Sequence, residues 1–379
     1  MKIGIVGGGP SGLYFALLMK KQNPAYQVTI VEQNPAGATY GWGVVFSDRA
    51  LSFLKEREPE SYADIETHLR TWDDLTIVHQ GEPVRIDGSG YAGIARLTLL
   101  QILQEHCKRC GVEIRFETRL PDASAFVEYD VIVGADGVNS IVRQQFAGQF
   151  RPSISWLSNK YTWYGTHQHF DTLSLIFRCY QGGAFVAHCY PYSESTGTFI
   201  VECDAQTWAR AGFAQMSDAE SRAYCERVFA DDLQGQALLS NKSEWLNFRV
   251  VSNEAWSYGN VILLGDALRT VHFSIGSGTR MALEDAITLF QAFTATDNVQ
   301  AAFQRFEQIR RPGMEKILDI AQQSYTWYET FHEKMELDAL PLAYSYMTRS
   351  GRIDDETLLL KAPHFMTSYR AYVSANFTR

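Results

Sequence analysis

Lys2-Ile3-Gly4-Ile5-Val6-Gly7-Gly8-Gly9-Pro10-Ser11-Gly12-Leu13 opens the chain, and this stretch decides the fold. A short apolar run ends at Val6, glycines 7, 9 and 12 match G-x-G-x-x-G, residues 13–21 carry apolar side chains at helical spacing, and residues 27–31 form a second β-branched run. That order predicts strand, glycine turn, helix, strand, the start of a Rossmann-type unit. Gly7 permits the tight turn, Gly9 lets the main chain approach a pyrophosphate, and Gly12 lets the helix pack on the strand. The helix start offers unpaired N–H groups to phosphates. Glu32 ends the second run, 20 residues after Gly12. Its carboxylate can accept from ribose hydroxyls and disfavours a 2′-phosphate, so FAD or NAD fits better than NADP. Pro10, Ser11 and Gln33 are counted with this cofactor-binding set.

Further along, an amphipathic helix is predicted over 98–110, closed by Gly111, and followed by a strand over 112–116. Two fully apolar runs, 131–133 and 261–264, suit strands covered on both faces of a parallel sheet. Each runs into a glycine and an aspartate: Gly134-Ala135-Asp136-Gly137 and Gly265-Asp266-Ala267. Ligands of open parallel sheets lie at strand carboxyl ends, where Asp136 and Asp266 fall, although strand-end aspartates also form turns and caps. His272-Phe273-Ser274-Ile275-Gly276-Ser277-Gly278-Thr279 then introduces a helix through Phe293, a second glycine-lined helix start able to stabilise negative charge. Between these parts, residues 160–192 and 197–202 alternate aromatic and β-branched residues with polar ones, as antiparallel strands do. Helices are expected over 299–310 and, beyond Pro312, over 314–335. Residues 340–379 have mixed polarity.

A chain of 379 residues with 46% hydrophobic and 20% charged residues has room for two or three lobes sharing a cleft, and the composition is that of an ordinary globular protein. The net charge of −9 leaves no basic surplus for nucleic acid. No run approaches the roughly 18–20 apolar residues of a membrane span, and the first residues enter a strand directly, so a cytoplasmic location and no membrane partner are expected. Six scattered cysteines read as free thiols; Cys107 and Cys110 lie one helical turn apart with no second pair to complete a metal site, and no metal is expected.

In the order of its motifs the chain resembles the flavoprotein aromatic hydroxylases: the glycine motif, a D-G motif, then a G-D motif before a glycine-rich helix start. GWGVVFSD (41–48), HFSIGSGT (272–279) and TRSGRI (348–353) are similar to the salicylyl-CoA 5-hydroxylase and 2-aminobenzoyl-CoA monooxygenase group. TWYGT (162–166) and GDAL (265–268) are similar to the violacein-pathway indole hydroxylase. The resemblance implies an α/β fold of p-hydroxybenzoate hydroxylase type, α+β overall. It comprises a discontinuous FAD-binding domain (1–70, 94–152, 250–298), a mainly antiparallel substrate sheet (71–93, 153–249) and a helical C-terminal region (299–379). It further implies that Gly7, Gly9, Gly12 and Glu32 hold the ADP half of FAD, that Arg96 contacts the cofactor, that Asp136 lies beside the pyrophosphate, that Asp266 bonds the ribityl chain, and that Gly276, Gly278 and Thr279 lie against the isoalloxazine. Arg269 departs from the histidine usual in the aryl-CoA group, as Val271 and Phe273 depart from the prolines of related flavoproteins.

The activity so implied is ring hydroxylation through a flavin C4a-hydroperoxide, with NADH or NADPH as a transient donor and O2 as co-substrate. The expected substrate is an ortho-substituted benzoyl-CoA such as salicyloyl-CoA or 2-aminobenzoyl-CoA; an indole or other natural-product aromatic is the alternative, and an FAD-binding protein that hydroxylates nothing is the second. Trp42, Trp163 and Tyr164 are the candidates for ring binding, and His188, His272 and Tyr190 for catalysis, the histidines by polarising a phenol or aniline substituent. His167 and His169 share a face if their segment is a strand, but no third ligand accompanies them.

Overall fold

The computed structural model describes residues 1–47 and 52–377, so Asp48 of the GWGVVFSD string lies outside the described residues. The opening stretch folds as the strand Lys2–Val6, the helix Pro10–Gln22 and the strand Gln27–Val31. These strands pair in parallel within a six-stranded sheet ordered Ser257–Tyr258, Val261–Leu263, Val131–Gly134, Lys2–Val6, Gln27–Val31, Glu113–Arg115. Only the Ser257–Tyr258 edge is antiparallel. In this register Val6 faces Val31 on one side and Gly134 on the other, and Gly134 faces Leu263. The carboxyl ends of four strands are therefore level, and the four motifs that follow them meet along one edge. Helix Arg96–Cys110 begins two residues earlier than its periodicity suggests and ends on Gly111 at φ 85°, where the left-handed conformation favours glycine.

The second sheet has eight strands. Along its main path lie Leu238–Leu239, Pro152–Thr166, Gly197–Cys203, Gly183–Pro191, Leu173–Tyr180, Leu75–His79 and Glu82–Ile86, and Leu246–Asn253 pairs alongside Pro152–Thr166. All its pairings are antiparallel except Leu173–Tyr180 with Leu75–His79. One face packs on Tyr164, Phe185, Phe199, Phe213, Tyr224 and Phe229, the last three brought by short helices within residues 205–233. The other, inner face meets the C-terminal helices through Trp327, Tyr328, Leu342 and Phe365. A small three-stranded sheet (Gly43–Ser47, Tyr91–Ala95, Arg70–Trp72) joins the two lobes.

Pro312 does not break the C-terminal pattern as its position suggests. Val299–Glu329 is one helix of 31 residues with the proline inside. Proline removes one helical hydrogen bond and crowds the preceding turn. Here the turn is held from outside: Arg310 pairs with Glu284 and Asp285, and Arg311 donates to the Glu254 carbonyl at 2.8 Å. Residues 340–377, of mixed polarity, fold into the helices Ala339–Thr348, Asp355–Lys361 and Pro363–Phe377. Among the described residues no helix is long and apolar enough to cross a membrane, and no group of three His, Cys, Asp or Glu side chains is arranged to hold a metal.

Candidate active site

Main chain dominates the cradle at the strand ends. Gly7 adopts φ 106°, and a Cβ there would lie 2.3 Å from the Ala135 carbonyl oxygen; one on Gly12 would lie 2.4 Å from the Gly7 oxygen. Only glycine lets the two motifs approach this closely. Helix Pro10–Gln22 starts on Gly9 with no side-chain cap and no acidic residue in its first turn, and helix Gly278–Thr294 starts on Ser277 in the same way. Two helix ends thus keep free N–H groups and partial positive charge. They lie on either side of Gly265, whose added Cβ would approach Ser11 Oγ and, farther off, Ala282.

Acidic side chains ring this cradle. Glu32 Oε2 accepts from Gly8 N–H at 2.8 Å while its Oε1 accepts from the Asn34 main chain and side chain, so the carboxylate is fixed at the lip of the loop. Gln33 next to it is exposed. Asp136 Oδ2 accepts from Ile141 N–H at 2.7 Å, whereas Oδ1 is buried with no partner. Asp266 stands between buried Gly265 and Ala267 with an exposed side chain, yet burial raises its carboxyl pKa against the pull of Arg96, Arg269 and Arg143. The carboxyl is thus surrounded by protein yet still accessible. Arg96 faces it from the start of its helix, its Nε donating to Thr39 Oγ1 at 3.2 Å. Uncapped helix ends, an orphaned carboxylate oxygen and glycine-walled space fit an extended dinucleotide carrying phosphates and polyol hydroxyls.

Behind the cradle lie charged groups that motif reading missed. Arg143, fully buried, donates to the Ala267 carbonyl at 2.9 Å and to the Val138 carbonyl at 2.5 Å, tying the two aspartate turns together. Asp285, also fully buried, accepts from Arg269 NH2 and Arg310 Nε at 2.8 Å each and from Gly265 N–H at 3.2 Å. Arg269, which departs from the family histidine, thus anchors the Gly265-Asp266 turn, its NH1 donating to the Gly265 carbonyl at 3.1 Å.

The inner face of the large sheet comes near Asp266 and Arg96 through Tyr161 and Tyr190. Strand alternation puts Trp163, Ile200, His188 and Leu175 in one row across it. The same alternation corrects one expectation: Tyr164, next to Trp163, points to the opposite face, is wholly buried in the outer cluster and bonds Ser221 Oγ at 3.2 Å, so it does not reach the inner face. Trp42 and Trp163 form reciprocal contacts. A Cβ on Gly41 would lie 2.6 Å from the Trp163 ring, and one on Gly165 would lie 2.6 Å from the Trp42 ring; both indole N–H groups are buried and unpartnered. Tyr190 donates its hydroxyl proton to the Gly43 carbonyl at 2.8 Å, and Gly43 N–H donates to Thr198 Oγ1 at 3.0 Å. Tyr190 and Thr198 thus clamp the 41–43 loop to the sheet.

His272 packs on Phe273 with ring centroids 4.2 Å apart. Ser274 N–H donates to its Nδ1 at 3.2 Å, which leaves the proton of the neutral ring on Nε2, and burial pulls its pKa down to about 3. His188 lies under the same Phe273, centroids 5.4 Å apart, and its Nε2 is 3.2 Å from Glu202 Oε2. Gly276 takes φ 59°, with Val45 of the small sheet against it, and precedes Gly278 and Thr279 at the helix start. The structure therefore brings Gly7, Gly9, Pro10, Ser11, Gly12, Glu32, Asp136 and Asp266 to one edge, and His272 and His188 to the adjoining sheet face. His167 and His169 do not share a strand face, because the strand ends at Thr166; His167 meets the Ser195 carbonyl and His169 meets Asp171. Glu202 and Asn159 also went unnoticed in the sequence. A glutamate two residues beyond Ile200 in the mostly apolar run Gly197–Cys203 is the signal that could have found the first.

Residues 1–321 match the family model described as FAD binding domain. Salicyloyl-CoA 5-hydroxylase of a Streptomyces species is 39% identical over 92% of this chain and 70% of that protein. Protodeoxyviolaceinate monooxygenase of Chromobacterium violaceum is 38% identical over 92% and 94%, and 3-hydroxy-4-methyl-anthranilyl-[aryl-carrier protein] 5-monooxygenase of Streptosporangium sibiricum is 34% identical over 86% and 89%. In fold, the chain matches 2-methyl-3-hydroxypyridine-5-carboxylic acid oxygenase at a TM-score of 0.71 over 97% of both chains, with 16% identity. The glycine-walled cradle, the match over most of the chain and the relatives agree: the chain belongs to the flavoprotein aromatic hydroxylases, FAD-dependent monooxygenases of α/β fold.

Proposed function

We propose that the chain hydroxylates an ortho-substituted benzoyl-CoA, such as salicyloyl-CoA or 2-aminobenzoyl-CoA, using NADH or NADPH and O2. The observation that carries this reading is the inner-face run of Trp163, Ile200 and His188, apolar side chains ending at one proton-accepting group, on a sheet whose Tyr161 and Tyr190 lie near Asp266 and Arg96 of the FAD cradle. The names of two of the three relatives support it, since their aryl groups are carried on CoA or on an aryl-carrier protein.

In this reading the helix starting at Pro10 and the Gly7-to-Gly12 turn receive the pyrophosphate, Glu32 meets the ribose, and Asp136 and Asp266 meet the pyrophosphate region and the ribityl chain. Arg96 neutralises charge opposite Asp266, and the Gly276-to-Thr279 helix start stabilises negative charge on the flavin ring edge. FAD held there would supply, with a nicotinamide and O2, an electrophilic oxygen for an electron-rich ring. His188 takes a proton from the ring's hydroxyl or amino group, while His272, kept neutral by burial, donates from Nε2. Tyr190, Trp42 and Trp163 hold the 41–43 loop as a wall that excludes water. The cofactor-binding part comprises 1–70, 94–152 and 250–298, and the substrate part the large sheet.

The test is oxidation of NADH and NADPH by the yellow holoenzyme with salicyloyl-CoA, 2-aminobenzoyl-CoA and tryptophan-derived indoles. A CoA thioester that accelerates flavin reduction and leaves as a hydroxylated product supports the reading. Stimulation by indoles alone would move the substrate to the natural-product class, consistent with the violacein-pathway relative. A flavin that no aromatic compound makes reducible would remove the hydroxylase substrate altogether.

A further inference from the structure

Glu202 is an acidic group behind His188 to which the proposed reaction gives no role. It is 2% exposed and sits on the inner face of Gly197–Cys203. Its Oε1 accepts from Asn159 Nδ2 at 2.8 Å, and the same amide group donates to the Tyr328 carbonyl at 2.9 Å. Asn159 is held in turn by its main-chain N–H, which donates to Glu329 Oε1 at 2.8 Å. Glu202 Oε2 faces His188 Nε2 at 3.2 Å. A carboxylate only accepts, so the imidazole nitrogen facing it carries the proton. Nδ1 then holds the lone pair and has no hydrogen-bond partner among the described residues.

We infer that Glu202 and His188 form a proton-accepting dyad, in which Glu202 is the positioning residue that fixes the His188 tautomer and stabilises its imidazolium. The inference rests on the hydroxylase reading above. In the step it serves, the O–H or N–H bond of the ring substituent breaks, a new N–H bond forms at His188 Nδ1, and the electron pair stays on the substituent. No electron is transferred, and the ring becomes a stronger nucleophile. The proton returns to the substituent when the aromatic product forms. The logic is that of an acid–base pair whose third member orients the base and balances its charge without itself being protonated. His272 makes the contrast. It has no carboxylate partner among the described residues, and its Nδ1 receives a main-chain N–H.

The charged and titratable groups around His188 are Glu202 on the neighbouring strand, Tyr161 on the strand beyond it, Tyr328 and Glu329 from the long helix, His272 from the loop above, and Arg349, which lies near both His272 and Tyr328. Of these, Glu202 alone touches the His188 ring nitrogens.

The experiment is nitrogen NMR of the holoenzyme labelled at histidine, with His188→Asn identifying the signal. In the wild type, neutral His188 should carry its proton on Nε2. In Glu202→Gln the ring should no longer be held in that one tautomer, because an amide can donate to Nε2 as well as accept from it. The pH profile of kcat with salicyloyl-CoA should change in the same variant, while the flavin spectrum stays native. An Nδ1–H tautomer in the wild type overturns the dyad without any variant, which covers a Glu202→Gln protein that does not fold. An unchanged Nε2–H tautomer together with an unchanged pH profile in a folded Glu202→Gln variant overturns it as well. If no aromatic compound is turned over by the wild type, the substrate reading fails, and the two NMR results still decide the dyad.

Discussion

The cofactor cradle and the inner face of the large sheet lie against each other but are built by opposite means. In the cradle the ligand-facing surface is mostly main chain: Gly7, Gly9 and Gly12, two uncapped helix starts, and strand ends level in one register. On the sheet the surface is side chains, and the interacting set of Asn159, His188, Glu202, Phe273 and Tyr328 comes from five separate segments. A main-chain surface is specified by local rules, whereas a side-chain constellation depends on which strands become neighbours. The cradle should accordingly fail when space is taken from it, and the sheet face when a partner is removed.

The sharpest way to break the contrast lies behind the cradle, where side chains support main chain. Asp285→Ala leaves Arg269 without its buried counter-charge and Arg310 with Glu284 alone. Removing one partner of a buried ion cluster costs about 3–5 kcal/mol. Denaturant unfolding should show a loss of that size together with poor flavin retention; a near-native unfolding midpoint would mean that the Gly265 turn stands without its ionic support.

Acid stability tests the sheet side. His272 is neutral in the folded protein, with a pKa lowered to about 3, whereas an unfolded histidine titrates near its ordinary value of 6.5. As pH falls from about 6.5 towards 3 the unfolded chain binds a proton that the native state refuses, so stability is lost over that window. The slope is at most about 1.4 kcal/mol per pH unit. His272→Asn should flatten the curve of unfolding free energy against pH by up to that slope, with little change above pH 7. An identical slope in both proteins would contradict the neutral, buried assignment.

Gly7→Ala tests the cradle directly, because the added Cβ falls 2.3 Å from the Ala135 oxygen at a left-handed φ. FAD affinity measured by fluorescence recovery should fall at least about tenfold, equivalent to about 1.4 kcal/mol, in a protein whose sheet lobe is intact by near-UV circular dichroism. Asp266→Ala should likewise purify largely without flavin, and full occupancy would remove its assigned contact. The smallest effect is expected of Tyr190→Phe, which deletes the bond to the Gly43 carbonyl. One such bond contributes about 1 kcal/mol, so the variant should lose about that much stability and keep kcat within a few-fold. A collapse of kcat would make Tyr190 a reacting group instead of a clamp.

Legibility followed the same division. The glycine turn and the second helix start were readable because each is a contiguous string whose spacing fixes its local geometry, and the positions of Glu32 and both aspartates at strand ends followed from the apolar runs before them. Tyr164 was misplaced because TWYGT does not say which parity faces inward; the partner strands Gly197–Cys203 and Leu238–Leu239 and the helices covering the outer face settle that. Pro312 looked like a helix break because the ion pairs that hold the turn, Arg310 with Glu284 and Asp285, are invisible along the chain.

By itself, then, the sequence determined the strand, glycine turn and helix of a dinucleotide-binding unit, since backbone conformation and helix polarity are local properties. Tertiary structure alone decided that Arg143 and Asp285 would brace that cradle and that Glu202 would stand behind His188. Buried charges persist only where distant segments bring them partners, and no spacing along the chain records such a meeting.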